Sequence, residues 1–149
     1  MSEAIVRKSA QFRWEGVDVK EYKPAGHRHR GITRQVLLGD DNPNSDFATR
    51  YFEIAPGGHS TLEKHEHTHS VVILRGAGVV LLGNGLVRVH APDAIEIDSW
   101  TLHQFHNDTD EPFGFLCVVA KERDRPVFAS DAELTALRAD PELSPWVKT

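Results

Sequence analysis

The chain has 149 residues, 40% of them apolar and 26% charged, with a formal net charge of −5. These figures describe one folded domain with enough chain to bury a core, and they exclude an intrinsically disordered chain and a general polyanion binder. No apolar run approaches the roughly 20 residues of a membrane-spanning helix, so neither membrane nor nucleic acid is an expected partner.

Residues 1–30 are polar, with short strand-like pieces at Gln11-Phe12-Arg13-Trp14 and Val17-Asp18-Val19. Tyr22 to Arg30 forms a basic loop. Strands are expected at 31–38, closed by the turn-rich Gly39-Asp40-Asp41-Asn42-Pro43-Asn44, and at 47–54, ending before Pro56-Gly57-Gly58. Next come Ser70–Leu74 and Val79–Leu82, then Leu86–Val89 across the hairpin signal Gly83-Asn84-Gly85. Ala94–Ile97, Leu102–Phe105 and Phe113–Val119 complete the strands. A helix is signalled only at the end, where Ser130-Asp131-Ala132-Glu133 is a capping box followed by Leu134 and Leu137. Many short strands at about ten-residue spacing indicate an all-β sandwich or barrel carrying a short C-terminal helix.

His59, Glu63, His65, Glu66, His67 and His69 fall within eleven residues. Neutral imidazole and carboxylate are natural ligands for borderline divalent ions, so this density points to a metal. Gly57, five residues, Glu63-Lys64-His65, three residues, His69, six residues and Gly76 resemble the first motif of the cupin superfamily, with the first His and the Glu of that motif exchanged. His103, three residues and Asn107 resemble the end of the second. The resemblance implies a jelly-roll β-barrel with its core at about 31–120, an N-terminal extension 1–30 and a tail 121–149, all one domain. It implies Glu63, His65, His69 and His103 as metal ligands. Strand parity agrees, since residues two apart share a face. A rival cluster of His65, His67 and His69 has the same parity; His67 is read as a rim or supporting residue, and His59, His90 and His106 as surface or loop histidines. Oxygen and imidazole donors of this kind accept manganese, iron, nickel or zinc.

Cys117 is the single cysteine, which rules out an internal disulfide and fits a reducing cytoplasm, as does the missing signal-peptide core at Met1–Lys8. It lies in Phe113-Gly114-Phe115-Leu116-Cys117-Val118-Val119, where both faces are apolar, so parity leaves its direction open. Together with Gly31–Gly39, Arg50–Ile54 and Arg123-Asp124-Arg125-Pro126, this run resembles a narrower cupin group, the methylthioxylulose-phosphate methylsulfurylases. That resemblance implies a manganese-dependent enzyme acting on 1-methylthio-xylulose 5-phosphate, with Cys117 attacking the methylthio sulfur and glutathione as co-substrate releasing methanethiol. Phosphate needs cations, and Arg28, Arg30, Arg34 and Arg50 are the candidates. Lys121, Arg123 and Arg125 alternate with acids and read as surface charge. A metal-dependent isomerase, lyase or dioxygenase, or a non-enzymatic binding module, are the alternative readings. By analogy with other small cupins, a homodimer is expected.

Overall fold

The computed structural model describes residues 4–23 and 28–149. The strands in chain order are β1 (Lys8–Ala10), β2 (Arg13–Trp14), β3 (Lys20–Glu21), β4 (Arg30–Leu38), β5 (Phe47–His59), β6 (Glu63–Lys64) and β7 (His69–Arg75). They continue with β8 (Ala77–Leu82), β9 (Gly85–His90), β10 (Ala94–Ile97), β11 (His103–His106), β12 (Phe113–Ala120) and β13 (Val127–Phe128), before the helix α1 (Asp131–Ala139). The all-β expectation with one late helix holds. Ser130 caps α1 by accepting from the Glu133 amide, and the Glu133 side chain returns to the Ser130 amide.

The strands of the main sheet form two halves. One half runs β3, β4, β5, β12, β7, β10, and the other runs β9, β8, β11, β6, β13. They meet where the end of β5 pairs with β11, His59 opposite His106. β5 is therefore longer than expected and passes through Pro56-Gly57-Gly58 instead of stopping there. Its pairing with β4 shifts between Arg30↔His59 and Ile32↔Ile54. Gly57 supplies the bend at φ 77°, and the carbonyl of Asn107 accepts its amide at 2.9 Å. A strand that bends this way can serve both halves of a curled sheet.

Side chains from both halves fill the space between them. Ile32, Phe52, Ile54, Val71, Ile73, Phe113, Phe115, Cys117 and Val119 come from one half, and Val80, Val89 and Phe105 from the other. Phe113, Phe115, Cys117 and Val119 are all buried while Leu116 and Val118 are partly exposed, which settles the parity of β12 with Cys117 inward. A second apolar cluster of Leu62, Leu81, Leu102, Leu137 and Leu143 holds α1 against the outside of the barrel. The N-terminal hairpin β1–β2 packs over the outer face of β5, with Phe12 stacked on Tyr51 at 5.6 Å and Trp14 edge-on to it at 5.2 Å. Val17–Val19 is not a strand; the next pairing is β3 with β4.

Candidate metal centre and cavity

The barrel encloses a cavity of about 190 Å³. Its walls include Tyr22, Lys23, Arg34, Arg50, Glu63, His65, His67, His69, His103, Cys117 and Arg123, with an aromatic surface of Phe52, Phe105 and Phe115. Arg28 and Arg30 are not among them. Arg28 sits over the Phe128 ring at 3.9 Å, and Arg30 pairs at the exposed start of β4. The basic loop thus divides, and Pro24–His27 lie outside the described residues.

His65, His69 and His103 form one group whose candidate ligand atoms all lie within 4.8 Å of one another. β11 brings in His103 directly opposite Glu63 on β6. The Nδ1 of His65 donates to the His67 carbonyl at 2.7 Å, and that of His103 to the Thr101 carbonyl at 2.8 Å. Each bond fixes the tautomer and leaves Nε2 as the free donor atom. The Nε2 atoms of His65 and His69 stand 2.7 Å apart, close to the roughly 3 Å that separates neighbouring ligands at metal–nitrogen bonds of about 2.1 Å. All three rings titrate below an ordinary histidine. Burial is the largest cause in each, followed for His65 and His69 by the charge of His103; His65 is pushed down to about 4. They are neutral at pH 7, the form a metal takes. The residues present fit a divalent ion.

Glu63 belongs to the same cavity but stands apart from the three-histidine group. Its carboxylate is bonded to Lys23 Nζ and accepts from Thr61 Oγ1 at 2.7 Å. Tyr22 Oη meets that same threonine hydroxyl at 3.2 Å. Tyr22 and Lys23 had no motif to mark them, because their place is set by the N-terminal segment returning over the barrel.

His67 lines the cavity with its ring stacked on His65 at 3.7 Å. Asp124 holds it, accepting from the Glu66 amide at 2.8 Å, the His67 amide at 2.9 Å and His67 Nδ1 at 2.7 Å. Those bonds, the Glu66 amide first, keep the Asp124 carboxyl well below the usual carboxylate range. His90 is exposed as expected. His106 is not a surface residue: it is 4% exposed and packs edge-on against Trp146 at 5.4 Å. The motif residue Asn107 is a loop fastener, donating to the carbonyls of Ile54 at 2.8 Å and Glu111 at 2.7 Å.

Cys117 is 2% exposed. Its Sγ lies 3.3 Å from His69 Nδ1 and receives Arg50 Nη2 at 3.5 Å. Burial pushes the thiol up and the Arg50 guanidinium pulls it back. Arg50 sits directly across from Cys117 in the β5–β12 pairing. Arg123, which the sequence pattern places among surface charges, also reaches the cavity.

Residues 50–119 match the family model described as "Cupin domain". The chain is 46% identical over 132 residues to 1-methylthio-D-xylulose 5-phosphate methylsulfurylase of Rhodospirillum rubrum, covering 88% of this chain and 83% of that one. A crystal structure of a cupin 2 conserved barrel domain protein from Rhodopseudomonas palustris superposes with TM-score 0.91 at 37% identity, covering 98% of this chain and 100% of that one. A cupin-2 domain from Rhodospirillum rubrum superposes with TM-score 0.83 at 43% identity, covering 92% and 91%. With its jelly-roll fold and its histidine group inside the barrel, the chain belongs to the cupin family, and within it resembles the methylthioxylulose-phosphate methylsulfurylases.

Proposed function

We propose that this protein is a metal-dependent enzyme that removes the methylthio group of 1-methylthio-D-xylulose 5-phosphate, giving 1-deoxyxylulose 5-phosphate and methanethiol. The observation that carries the reading is the Cys117 sulfur inside the cavity, 3.3 Å from His69 of the histidine group. The 46% identity to a methylsulfurylase supports it. A cysteine serving only as core packing has no need of a guanidinium and an imidazole within reach of its sulfur.

His65, His69 and His103 hold the ion, manganese in this reading, and Glu63 is the proposed fourth ligand. A divalent ion in this position supplies Lewis acidity toward the substrate ketone. Arg34 and Arg50 bind the phosphate through charge-assisted hydrogen bonds. Phe52, Phe105 and Phe115 keep water from the reacting carbon. Arg50 stabilises the Cys117 thiolate, which attacks the methylthio sulfur. The S–S bond forms as the sulfur–C1 bond breaks, and the electron pair passes to C1 and the adjacent carbonyl as an enolate. Protonation at C1 completes 1-deoxyxylulose 5-phosphate. Two thiols of glutathione then reduce the methyl disulfide on Cys117, releasing methanethiol and glutathione disulfide and restoring the cysteine.

The test is to supply the purified protein with manganese, 1-methylthio-xylulose 5-phosphate and glutathione and to measure methanethiol. Release that depends on all three is expected. No release with manganese, iron, nickel or zinc would sink the assignment.

A further inference from the structure

We propose that Arg123 is the third guanidinium of an anion subsite shared with Arg34 and Arg50, and that Asp124 positions it by clasping the segment after β12 to the loop between β6 and β7. The inference rests on the sugar-phosphate reading above and names the residues that recognise the phosphate end.

Three separate elements deliver these arginines to one cavity: β4, β5 and the segment following β12. On the paired strands, Arg34 stands opposite Phe52 and Arg50 opposite Val36, so the two are diagonal neighbours. Among the described residues, Arg13, Arg75, Arg88, Lys23 and Lys64 each pair with a carboxylate. None of Arg34, Arg50 and Arg123 appears in such a pair. The Nε atoms of Arg34 and Arg50 are also buried with no hydrogen-bond partner among the described residues. Buried donors with no acceptor are costly, and like charges gathered in one cavity add to that cost. A dianionic group accepting from all three relieves both.

Arg123 stands exposed at the open side of the cavity. Its Nη1 donates to the carbonyls of Ala120 at 2.9 Å and Lys121 at 3.2 Å, which folds the side chain back over the end of β12. The rest of the fork stays available for an anion. Its titration is lowered first by desolvation and next by the charge of Arg50, against upward pulls from Asp40 and Cys117, with a smaller lowering from Arg34, so the guanidinium is within the field of both other arginines. The adjacent Asp124 makes its three hydrogen bonds to Glu66 and His67. That loop lies between the ligands His65 and His69, so the segment bearing Arg123 is tied to the metal end of the cavity. Glu63, the carboxylate among the cavity-lining residues, bonds Lys23 and Thr61 rather than any of these arginines.

The experiment is calorimetric titration of the manganese-loaded protein with D-xylulose 5-phosphate, which carries a hydroxyl in place of the methylthio group and so offers Cys117 no sulfur to attack, and with neutral D-xylulose. The phosphorylated sugar is expected to bind at least about tenfold more tightly to the wild type. Arg123→Ala should erase about tenfold of phosphate affinity while leaving D-xylulose binding unchanged, and Arg123→Lys should recover part of it. Asp124→Asn should weaken phosphate binding in the same direction. Arg125→Ala, with the same charge removed two residues on, should match the wild type. Wild-type affinity in Arg123→Ala, or an equal loss in Arg125→Ala, overturns the role of Arg123 alone. A wild type that does not distinguish the two sugars overturns the sugar-phosphate reading together with it.

Discussion

The sulfur of Cys117 lies 3.3 Å from Nδ1 of His69, while Nε2 of the same ring faces Nε2 of His65 at 2.7 Å. One imidazole therefore joins the thiol to the histidine group. Cys117→Ser is expected to reduce methanethiol release by at least about a thousandfold, as loss of a covalent nucleophile does. Metal content, measured by elemental analysis, should stay stoichiometric. Without glutathione, the wild type should trap one methylthio group on Cys117, visible as a mass gain that a thiol reverses. Retained turnover in the serine variant would reduce Cys117 to a packing residue and favour an isomerase or lyase.

Metal binding should separate the histidines by position. His103→Ala removes a donor that the pairing of β11 with β6 and β8 brings in, and manganese affinity should fall at least about a hundredfold. Glu63→Gln keeps the shape of the side chain and removes the charge. A loss of about tenfold or more in manganese affinity is expected if its carboxylate leaves Lys23 for the ion, and unchanged affinity would remove it from the ligand set.

Acid should weaken the fold through His106. Burial, with the charges of His59 and Lys148, pushes its titration down to about 4, against a smaller upward pull from Asp108. The neutral ring is the folded form, whereas the unfolded chain binds a proton below about 6.5. The stability it contributes is therefore present above pH 6.5 and is lost as pH falls through 4. Urea unfolding at pH 7 and pH 4.5 should show a loss from this group of roughly 2–3 kcal/mol. His106→Gln should flatten the pH dependence by about that amount. An identical slope in both proteins would contradict it.

Gly114 marks where the N-terminal hairpin constrains the barrel. A Cβ there would come within 1.9 Å of Tyr51 Oη, which donates to Glu53 at 2.8 Å beneath the hairpin. Gly114→Ala should destabilise the protein by roughly 1–3 kcal/mol in urea unfolding, the ordinary cost of overpacking. Tyr51→Phe removes the nearest atom, so the double variant should lose less than the sum of the single ones. Strict additivity would place the strain elsewhere.

The sequence by itself determined the fold class and half of the site. Short strands, glycine turns and one capping box specify a β-barrel with a late helix, because those signals are local. The spacing Gly57–Glu63–His65–His69–Gly76 selects ligands within one short stretch of chain for the same reason. Gly76 shows the logic: its φ is 67°, and a Cβ there would meet the Pro112 carbonyl at 2.4 Å. Only the tertiary structure decided the rest. Both faces of β12 are apolar, so the direction of Cys117 follows from which face the second half of the sheet covers. Arg34 and Arg50 meet the cavity while Arg28 and Arg30 do not: Arg28 precedes β4 and lies over the Phe128 ring, and the register shift between Arg30 and Ile32 breaks the alternation that would put Arg30 on the face of Arg34. Tyr22, Lys23 and Arg123 enter from segments with no periodic pattern, placed by contacts tens of residues away. Local rules fix which residues can do chemistry, and long-range pairing fixes which of them share one cavity.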